Sequence, residues 1–276
     1  MKPFLKWAGG KYKLADYIKS ILPSGARLIE PFVGSGAIFL NVSYPRYFLA
    51  DANPDLIELY QQLQKEGAAF IEFVGDFFGA EFNQPERYYK LRERFNQTDN
   101  PREKSALFVY LNKHCFNGLC RYNASGKFNV PFGQYKRPYF PAKEMLYFHQ
   151  RSQNAIFCCQ DFVTTLQQAQ AGDVVYCDPP YVPLSLTANF TSYSAGKFGE
   201  REQRELAKQA KRLATQNIPV MISNHDTDFT REIYDAAVIY DFKVQRNISR
   251  EGKNRTKVSE LLAFFRTDTV ISSSII

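Results

Sequence analysis

Residues 178–181 read Asp-Pro-Pro-Tyr and directly follow a short apolar run, Asp173 to Cys177. Such a run, bounded by turn residues, reads as a buried strand, so the tetrapeptide stands at a strand's carboxyl end, where open α/β sheets present ligands. Two consecutive prolines fix the backbone and bring no amide donors, leaving carbonyl oxygens as acceptors beside the Asp178 carboxylate. Acceptors grouped this way suit a nitrogen that donates two hydrogens, such as the exocyclic amine of a planar nucleobase, and Tyr181 offers a face on which the ring can stack. The lone pair of that amine is delocalised into its ring. Acceptors aimed at both hydrogens favour a more pyramidal, more nucleophilic nitrogen as a reaction proceeds. Asp178, Pro179, Pro180 and Tyr181 are therefore candidate catalytic residues, against the plainer alternative that Asp and Pro only turn the chain after a strand.

Glu30-Pro31-Phe32-Val33-Gly34-Ser35-Gly36 likewise leaves an apolar run, Arg27 to Glu30, and leads into a helix predicted over Ala37 to Val42. Glycines let the backbone approach a ligand, and the N–H groups of a helix start face it. Gly34-x-Gly36 with no third glycine at the required place is not the dinucleotide fingerprint. An ordinary tight turn has the same composition. Asp51 closes the next strand, Tyr47 to Ala50, and suits a ribose diol or, alternatively, the start of the helix that follows. Asp161 and Phe162 follow a third strand, Ala155 to Gln160, and either bracket an adenine or form a turn. Lys6-Trp7-Ala8-Gly9-Gly10-Lys11 sets cations and an indole around two glycines without the frame of a phosphate loop. Lys11 suits a cofactor carboxylate and Trp7 a packing wall, unless both merely cover the core.

The elements that position these residues alternate. Strand 27–30, glycine turn and helix are followed by strand 47–50, a cap at Asn53, Pro54 and a helix over Asp55 to Lys65, which means parallel strands in an α/β fold. Alternation lapses from about Glu66 to about Glu144, an aromatic-rich stretch with a helical pattern over Arg102 to Lys113, and this is read as an inserted domain. It resumes with Ala155 to Gln160, Asp173 to Cys177, a charged helix from Glu200 to Gln216 and Pro219 to Ser223. Phe242 to Ile248 and Glu260 to Arg266 read as an antiparallel hairpin around a basic turn.

At 276 residues the chain exceeds the typical domain of about 150, so one large domain or one domain with an insertion is expected. Hydrophobic residues at 45% and charged residues at 23% exclude disorder and low-complexity character. A net charge of +7 favours a polyanionic partner. Cys115, Cys120, Cys158, Cys159 and Cys177 make an odd number without a signal-peptide pattern before them, which points to reduced thiols in a cytosol. His114, Cys115 and Cys120 have no second pair at zinc-finger spacing, so no metal is expected. No segment approaches the roughly 18 apolar residues of a membrane span.

Lys6 to Lys11, Glu30 to Gly36 and Asp178 to Tyr181 together resemble the S-adenosylmethionine-dependent DNA adenine-N6 methyltransferases of the bacterial and phage Dam family. The likeness extends through Leu111–Lys113, Asn117–Asn123, Phe128–Gly133, Thr187–Thr191 and Ile222–Asp226. The motif order resembles the alpha group. The resemblance implies a class I methyltransferase (Rossmann-like) α/β sheet over residues 1–56 and 145–276, with a mostly helical target-recognition domain over 57–144 that carries a β-hairpin. It implies S-adenosylmethionine over Phe32, Gly34 and Gly36, with Asp51 on the ribose, Asp161 and Phe162 by the adenine, and Trp7 and Lys11 near the methionine end. The product would be S-adenosylhomocysteine.

It further implies methylation of a flipped-out adenine in GATC of double-stranded DNA, by a monomer in the bacterial cytoplasm or, if phage-encoded, in the host's. For DNA, Lys6, Asn117, Leu119, Arg121, Asn123, Pro131 and Arg137 are the candidate contacts. Arg121 suits paired hydrogen bonds to guanine, Asn117 or Asn123 a base edge or phosphate, and Leu119 and Pro131 a thymine methyl or a wedge into the duplex. Lys113, Lys127, Lys136 and Arg137, and Arg246, Arg250, Lys253, Arg255 and Lys257 around the late turn, suit phosphates. A surface turn over Asn123 to Gly126 is the alternative for that loop. Cytosine-N4 methylation and a catalytically idle DNA-binding protein are the alternative functions.

Overall fold

Short apolar runs that end in acidic or turn residues become strands here, and amphipathic runs capped by Asn, Pro or Gly become helices. A computed structural model describes residues 1–182, 198–245 and 257–266. In chain order these form α1 (Ala15–Ile21), β1 (Arg27–Glu30), β2 (Arg46–Asp51), α2 (Pro54–Glu66), α3 (Ala68–Gly75), α4 (Pro85–Gln97), α5 (Pro101–His114) and α6 (Ala142–Ser152). There follow β3 (Ala155–Cys159), α7 (Phe162–Leu166), β4 (Asp173–Cys177), α8 (Glu200–Thr215), β5 (Val220–His225), α9 (Asp228–Ile233), β6 (Val238–Gln245) and β7 (Lys257–Phe265). The stretch 187–191, the basic residues Arg246, Arg250, Lys253 and Arg255, and the side chain of Lys257 lie outside what is described.

The chain divides into two compact units, Met1–Ile21 with Val33–Asp161, and Leu22–Phe32 with the described residues from Phe162 onward. In the first, β2 and β3 run parallel, from Tyr47 opposite Ala155 to Asp51 opposite Cys159. The α2 helix starts as its sequence predicts: Asn53 accepts a hydrogen bond from Leu56 N at 3.2 Å, and Pro54 occupies the first turn. Its apolar face (Leu56, Ile57, Leu59, Tyr60, Leu63) is fully buried against β2, β3 and α5. Aromatic rings fill the core here; Phe148 stacks on Phe157 at 5.7 Å and meets Phe4 edge-on at 5.2 Å. The α5 helix is buried on every face from Ser105 to His114, because α2, α3 and α4 all pack around it.

Two expected elements take another form. No helix forms over 37–42; a single turn is closed by Leu40 N to Gly36 O at 3.0 Å and Val42 N to Ile38 O at 3.0 Å. Side chains claim its remaining carbonyls: Asn41 Nδ2 donates to Ala37 O at 2.8 Å, Tyr147 Oη to Leu40 O at 3.2 Å and Arg151 to Val42 O at 2.6 Å. The insertion's hairpin is likewise reduced to two isolated bridging pairs, Tyr122 with Phe128 and Cys115 with Phe132, with backbone bonds such as Asn129 N to Arg121 O at 3.1 Å and Phe116 N to Pro131 O at 2.9 Å. Beside them α4 takes part of the role of a partner strand. Asn96 both accepts from Phe128 N at 2.8 Å and donates to Phe128 O at 3.1 Å, and Tyr88 Oη donates to Val130 O at 2.8 Å.

In the second unit the strand order is β1-β4-β5-β7-β6. Strands β1, β4 and β5 are parallel, with Arg27 opposite Asp173 and Val175 opposite Val220. Strand β7 runs antiparallel to β5 and makes the expected hairpin with β6, which begins earlier than predicted, at Val238 opposite Phe264. Arg27 forks onto Asp173 with bonds of 3.0 and 2.6 Å. The α8 helix buries Leu206, Ala210 and Leu213 and is capped by Glu202, which accepts from Gly199 N at 2.8 Å. The parallel strands therefore end at Glu30, Asp51, Cys159, Cys177 and His225, in or beside the candidate motifs.

Candidate active site and nucleic-acid interface

In the first unit, the turn after Phe32 is fastened to the end of β2. Val33 N donates to Ala50 O at 2.9 Å, and Gly34 N donates to Asp51 Oδ2 at 3.0 Å. The other oxygen, Asp51 Oδ1, accepts from Asn53 N at 3.0 Å. Burial pushes the Asp51 carboxyl up, against the lowering effect of the N–H donors of Asn53, Gly34 and Ala52. Gly34 and Gly36 take left-handed φ values of 46° and 71°. A Cβ at Gly34 would lie 2.8 Å from Trp7 Nε1, so the indole packs directly on the glycine, as a wall to the turn. Since Gly36 N donates to Val33 O at 2.8 Å and no helix follows, the turn presents a glycine surface and not a helix start. Lys11 is buried and donates to Gly9 O at 2.7 Å. Asp161 is exposed.

The second unit holds Phe32 and Phe162, whose rings stack at 5.6 Å, and Phe198 meets both edge-on at 5.4 and 5.5 Å. That spacing leaves no room for a third ring between Phe32 and Phe162. An adenine beside them would lie against the cluster's outer surface. Phe198 had no sequence signal beyond its aromaticity.

Asp178–Val182 in the same unit is gripped from β5 and α8. Ser223, fully buried, stands 2.9 Å from Asp178 Oδ1 and donates to it, while Tyr176 Oη lies 3.1 Å from the same hydroxyl. Burial, with Asp178 nearby, pushes the Tyr176 phenol far up, so it stays protonated and the donor order runs Tyr176, Ser223, Asp178. Gln203 Nε2 donates to Pro180 O at 2.7 Å, and Asn224 Nδ2 donates to Gln203 Oε1 at 3.0 Å. Val182 N donates to Asn224 Oδ1 at 3.2 Å, and Val182 O lies 2.6 Å from His225 Nδ1. Tyr181 meets the His225 ring edge-on at 4.8 Å, and its hydroxyl donates to Glu260 at 3.4 Å, which sets the plane of the ring. The Pro180 carbonyl is thus part of the scaffold.

The sequence reading missed Gln203, Ser223, Asn224 and His225 as supports of this elbow. For Ser223, Asn224 and His225 the available signal was a polar run closing an apolar strand; Gln203, on α8, had none.

The recognition candidates all lie in the first unit, where Lys6 packs on Gly118. Asn112 bonds both Lys6 N and Lys6 O at 2.8 Å, and a Cβ at Gly118 would lie 2.4 Å from the Lys6 side chain. Lys6 Nζ rests 3.8 Å over the Tyr135 ring and donates to Lys113 O at 3.4 Å. Arg121 donates to Asn129 Oδ1 at 2.7 Å and Asn129 O at 3.2 Å. Asn117, Pro131 and Arg137 are exposed and Leu119 is half-buried. The Asn123 side chain builds a turn, its Oδ1 accepting from Ser125 N at 3.1 Å and Lys127 N at 2.9 Å. Burial, then the charge of Lys6, push the Lys113 ammonium down to about 8. Phe116, beside Asn117 at φ 54°, is 50% exposed.

All five cysteines are free thiols. Among the described residues no group of His, Cys, Asp and Glu could hold a metal ion, and no helix is long and apolar enough to cross a membrane.

The model of the D12 class N6 adenine-specific DNA methyltransferase family matches residues 7–248. The DNA adenine methylase of Serratia marcescens is 51% identical over 266 residues, covering 96% of this chain and 98% of that protein. Its Escherichia coli K12 counterpart is 49% identical over 269 residues, covering 98% and 97%. Among solved structures, an rRNA methyltransferase from Streptomyces viridochromogenes is similar at 13% identity and a TM-score of 0.41, covering 96% of this chain and 90% of that one. A family match from residue 7 to residue 248, with relatives about half identical along nearly the whole length, means that this α/β chain belongs to the D12 class of N6 adenine-specific DNA methyltransferases.

Proposed function

We propose that this enzyme methylates the adenine of GATC in duplex DNA, with Asp178 and the Pro179 carbonyl accepting the two amine hydrogens and Tyr181 stacking on the base. The observation that carries the assignment is the built elbow. Ser223 fixes one Asp178 oxygen at 2.9 Å and Gln203 holds the Pro180 carbonyl at 2.7 Å, so the acceptors are oriented before substrate arrives.

The family uses S-adenosylmethionine, and the residues present suit it. Gly34 gives a surface without Cβ against Trp7, Asp51 offers a half-buried carboxylate to a ribose diol, and Trp7 and Lys11 flank the methionine end in the first unit. In the second, the Phe32 and Phe162 cluster offers an aromatic surface to adenine. S-adenosylmethionine supplies a methyl group on a positively charged sulfur, which leaves as a neutral thioether. The adenine nitrogen forms the new bond to carbon and loses one proton, which passes to water by way of Asp178. An adenine paired in a duplex cannot present its amine to such a pocket, so the base rotates out of the stack.

Residues 57–144 supply DNA recognition, although position 57 falls inside α2. Lys6, Asn117, Leu119, Arg121, Asn123, Pro131 and Arg137 contact the DNA. Arg121 reads a guanine, Asn117 or Asn123 meets a base edge or a phosphate, Leu119 and Pro131 meet a thymine methyl or wedge the duplex, and Arg137 with the neighbouring lysines meets the backbone. A monomer suffices for so short a site, and free thiols accord with a bacterial or host cytoplasm. The test is tritiated methyl transfer from S-adenosylmethionine to duplexes with GATC or a scrambled site, followed by nucleoside analysis. N6-methyladenine on GATC alone is expected; equal transfer to both removes the site assignment.

A further inference from the structure

Arg121, the proposed guanine reader, lies between two residues whose side chains are tied to the start of α2. Before it, Cys120 Sγ receives a hydrogen bond from Asn53 Nδ2 at 3.5 Å. After it, Tyr122 Oη donates to Asp55 Oδ2 at 2.6 Å, and Asp55 Oδ1 pairs with Lys104 Nζ at 3.2 Å. Burial and the nearby Cys120 and Asp55 push the Tyr122 phenol far up, so it is a donor at every working pH. The post is rigid, since α2 buries one whole face and Asn53 caps it while bonding Asp51 through its own N–H. The loop around Arg121 forms no continuous strand. Its own ties are the Tyr122–Phe128 bridge, the backbone bonds Asn123 N to Lys127 O at 2.9 Å and Asn129 N to Arg121 O at 3.1 Å, and the Arg121 guanidinium on Asn129. The bond to Asp55 is what anchors this small assembly to α2 through Tyr122.

From this geometry we infer that Asp55 and Tyr122 are specificity-positioning residues, whose hydrogen bond sets where the Arg121 guanidinium stands over the DNA. The inference rests on the reading of Arg121 given above. Paired hydrogen bonds from a guanidinium to a base are steep in distance and angle, so a small shift of residue 121 costs discrimination more than it costs binding. The tie is separable from the fold. The Tyr122 ring meets Phe128 edge-on at 5.8 Å, and the backbone bridge joins the same two residues, neither of which needs the hydroxyl.

The experiment compares kcat/KM on GATC with that on duplexes carrying single base-pair changes, for Tyr122→Phe, Asp55→Ala, Asp55→Asn and Arg121→Ala. Tyr122→Phe and Asp55→Ala are expected to lower discrimination at the guanine read by Arg121 about tenfold, with kcat on GATC within about threefold. Asp55→Asn still offers an oxygen to Tyr122 and retains discrimination. Loss in Arg121→Ala with full discrimination in Tyr122→Phe overturns this inference alone. Unchanged discrimination in Arg121→Ala overturns the reading beneath it and the inference with it. Tyr122→Phe keeps its ring packing, so the outcome does not depend on whether Asp55→Ala folds.

Discussion

Ser223→Ala tests the elbow most directly. Ser223 is placed to hold the carboxylate proposed as catalytic and not the substrate, its hydroxyl lying 2.9 Å from Asp178 Oδ1 and 3.3 Å from Cys177 O. A hydrogen bond to a charged group is worth about 1.5–3 kcal/mol. If that free energy orients Asp178 only as the amine reacts, its loss lowers kcat about 10- to 100-fold, at about 1.4 kcal/mol per factor of ten. The KM values for DNA and S-adenosylmethionine should stay within about twofold, since no substrate contact is removed. The substitution also strips the buried Tyr176 hydroxyl of its 3.1 Å partner. An unsatisfied buried hydroxyl costs about 1–3 kcal/mol of stability, or several degrees in Tm for a chain of this size. Tyr176→Phe combined with Ser223→Ala removes both polar groups and should recover most of the Tm without recovering kcat. Steady-state methyl transfer with thermal melts on the single and double variants separates the effects. A kcat within about twofold of the parent, or one restored by the double variant, refutes the positioning argument.

Gly34→Ala should cut S-adenosylmethionine affinity at least about tenfold by calorimetry, since a left-handed residue at φ 46° costs about 1–2 kcal/mol and its Cβ would meet Trp7 Nε1 at 2.8 Å. Gly126→Ala, at φ 73° with nothing within 4 Å, should lose stability alone, and equal affinity loss in both would refute the cradle. His114 is pushed down to about 4 from 6.5, first by burial. The unfolded chain therefore takes up the proton first on acidification. His114 should contribute stability that is complete above pH 6.5 and lost as pH falls through about 4. His114→Gln should flatten Tm between those values, and an unchanged slope would refute the burial argument.

Strands and their ends were legible in the sequence because their signals are local. Apolar runs stop at Asp51 and at Cys177 beside Asp178, and the Asn53-Pro54 cap opens a helix whose apolar positions recur at helical spacing. The rigid, donor-poor character of Asp-Pro-Pro-Tyr was legible for the same reason, as two prolines remove donors and fix φ wherever they stand. The single turn at 37–42 was not, because Tyr147 and Arg151, more than a hundred residues further along, take its carbonyls. Nor was the reduced hairpin, in which Asn96 supplies the bonds a strand would have made.

The supports of the site belong to the same class. Ser223 reaches Asp178 across 45 residues and Tyr122 reaches Asp55 across 67. Local spacing governs backbone hydrogen bonds and the apolar face of each element, so the sequence by itself determined the fold class and which acids end its strands. Packing alone decided which buried side chain meets which carboxylate. Burial then raised the carboxyl of Asp51 and lowered the ammonium of Lys113, since the cost of a charge depends on the surroundings assembled by the whole fold.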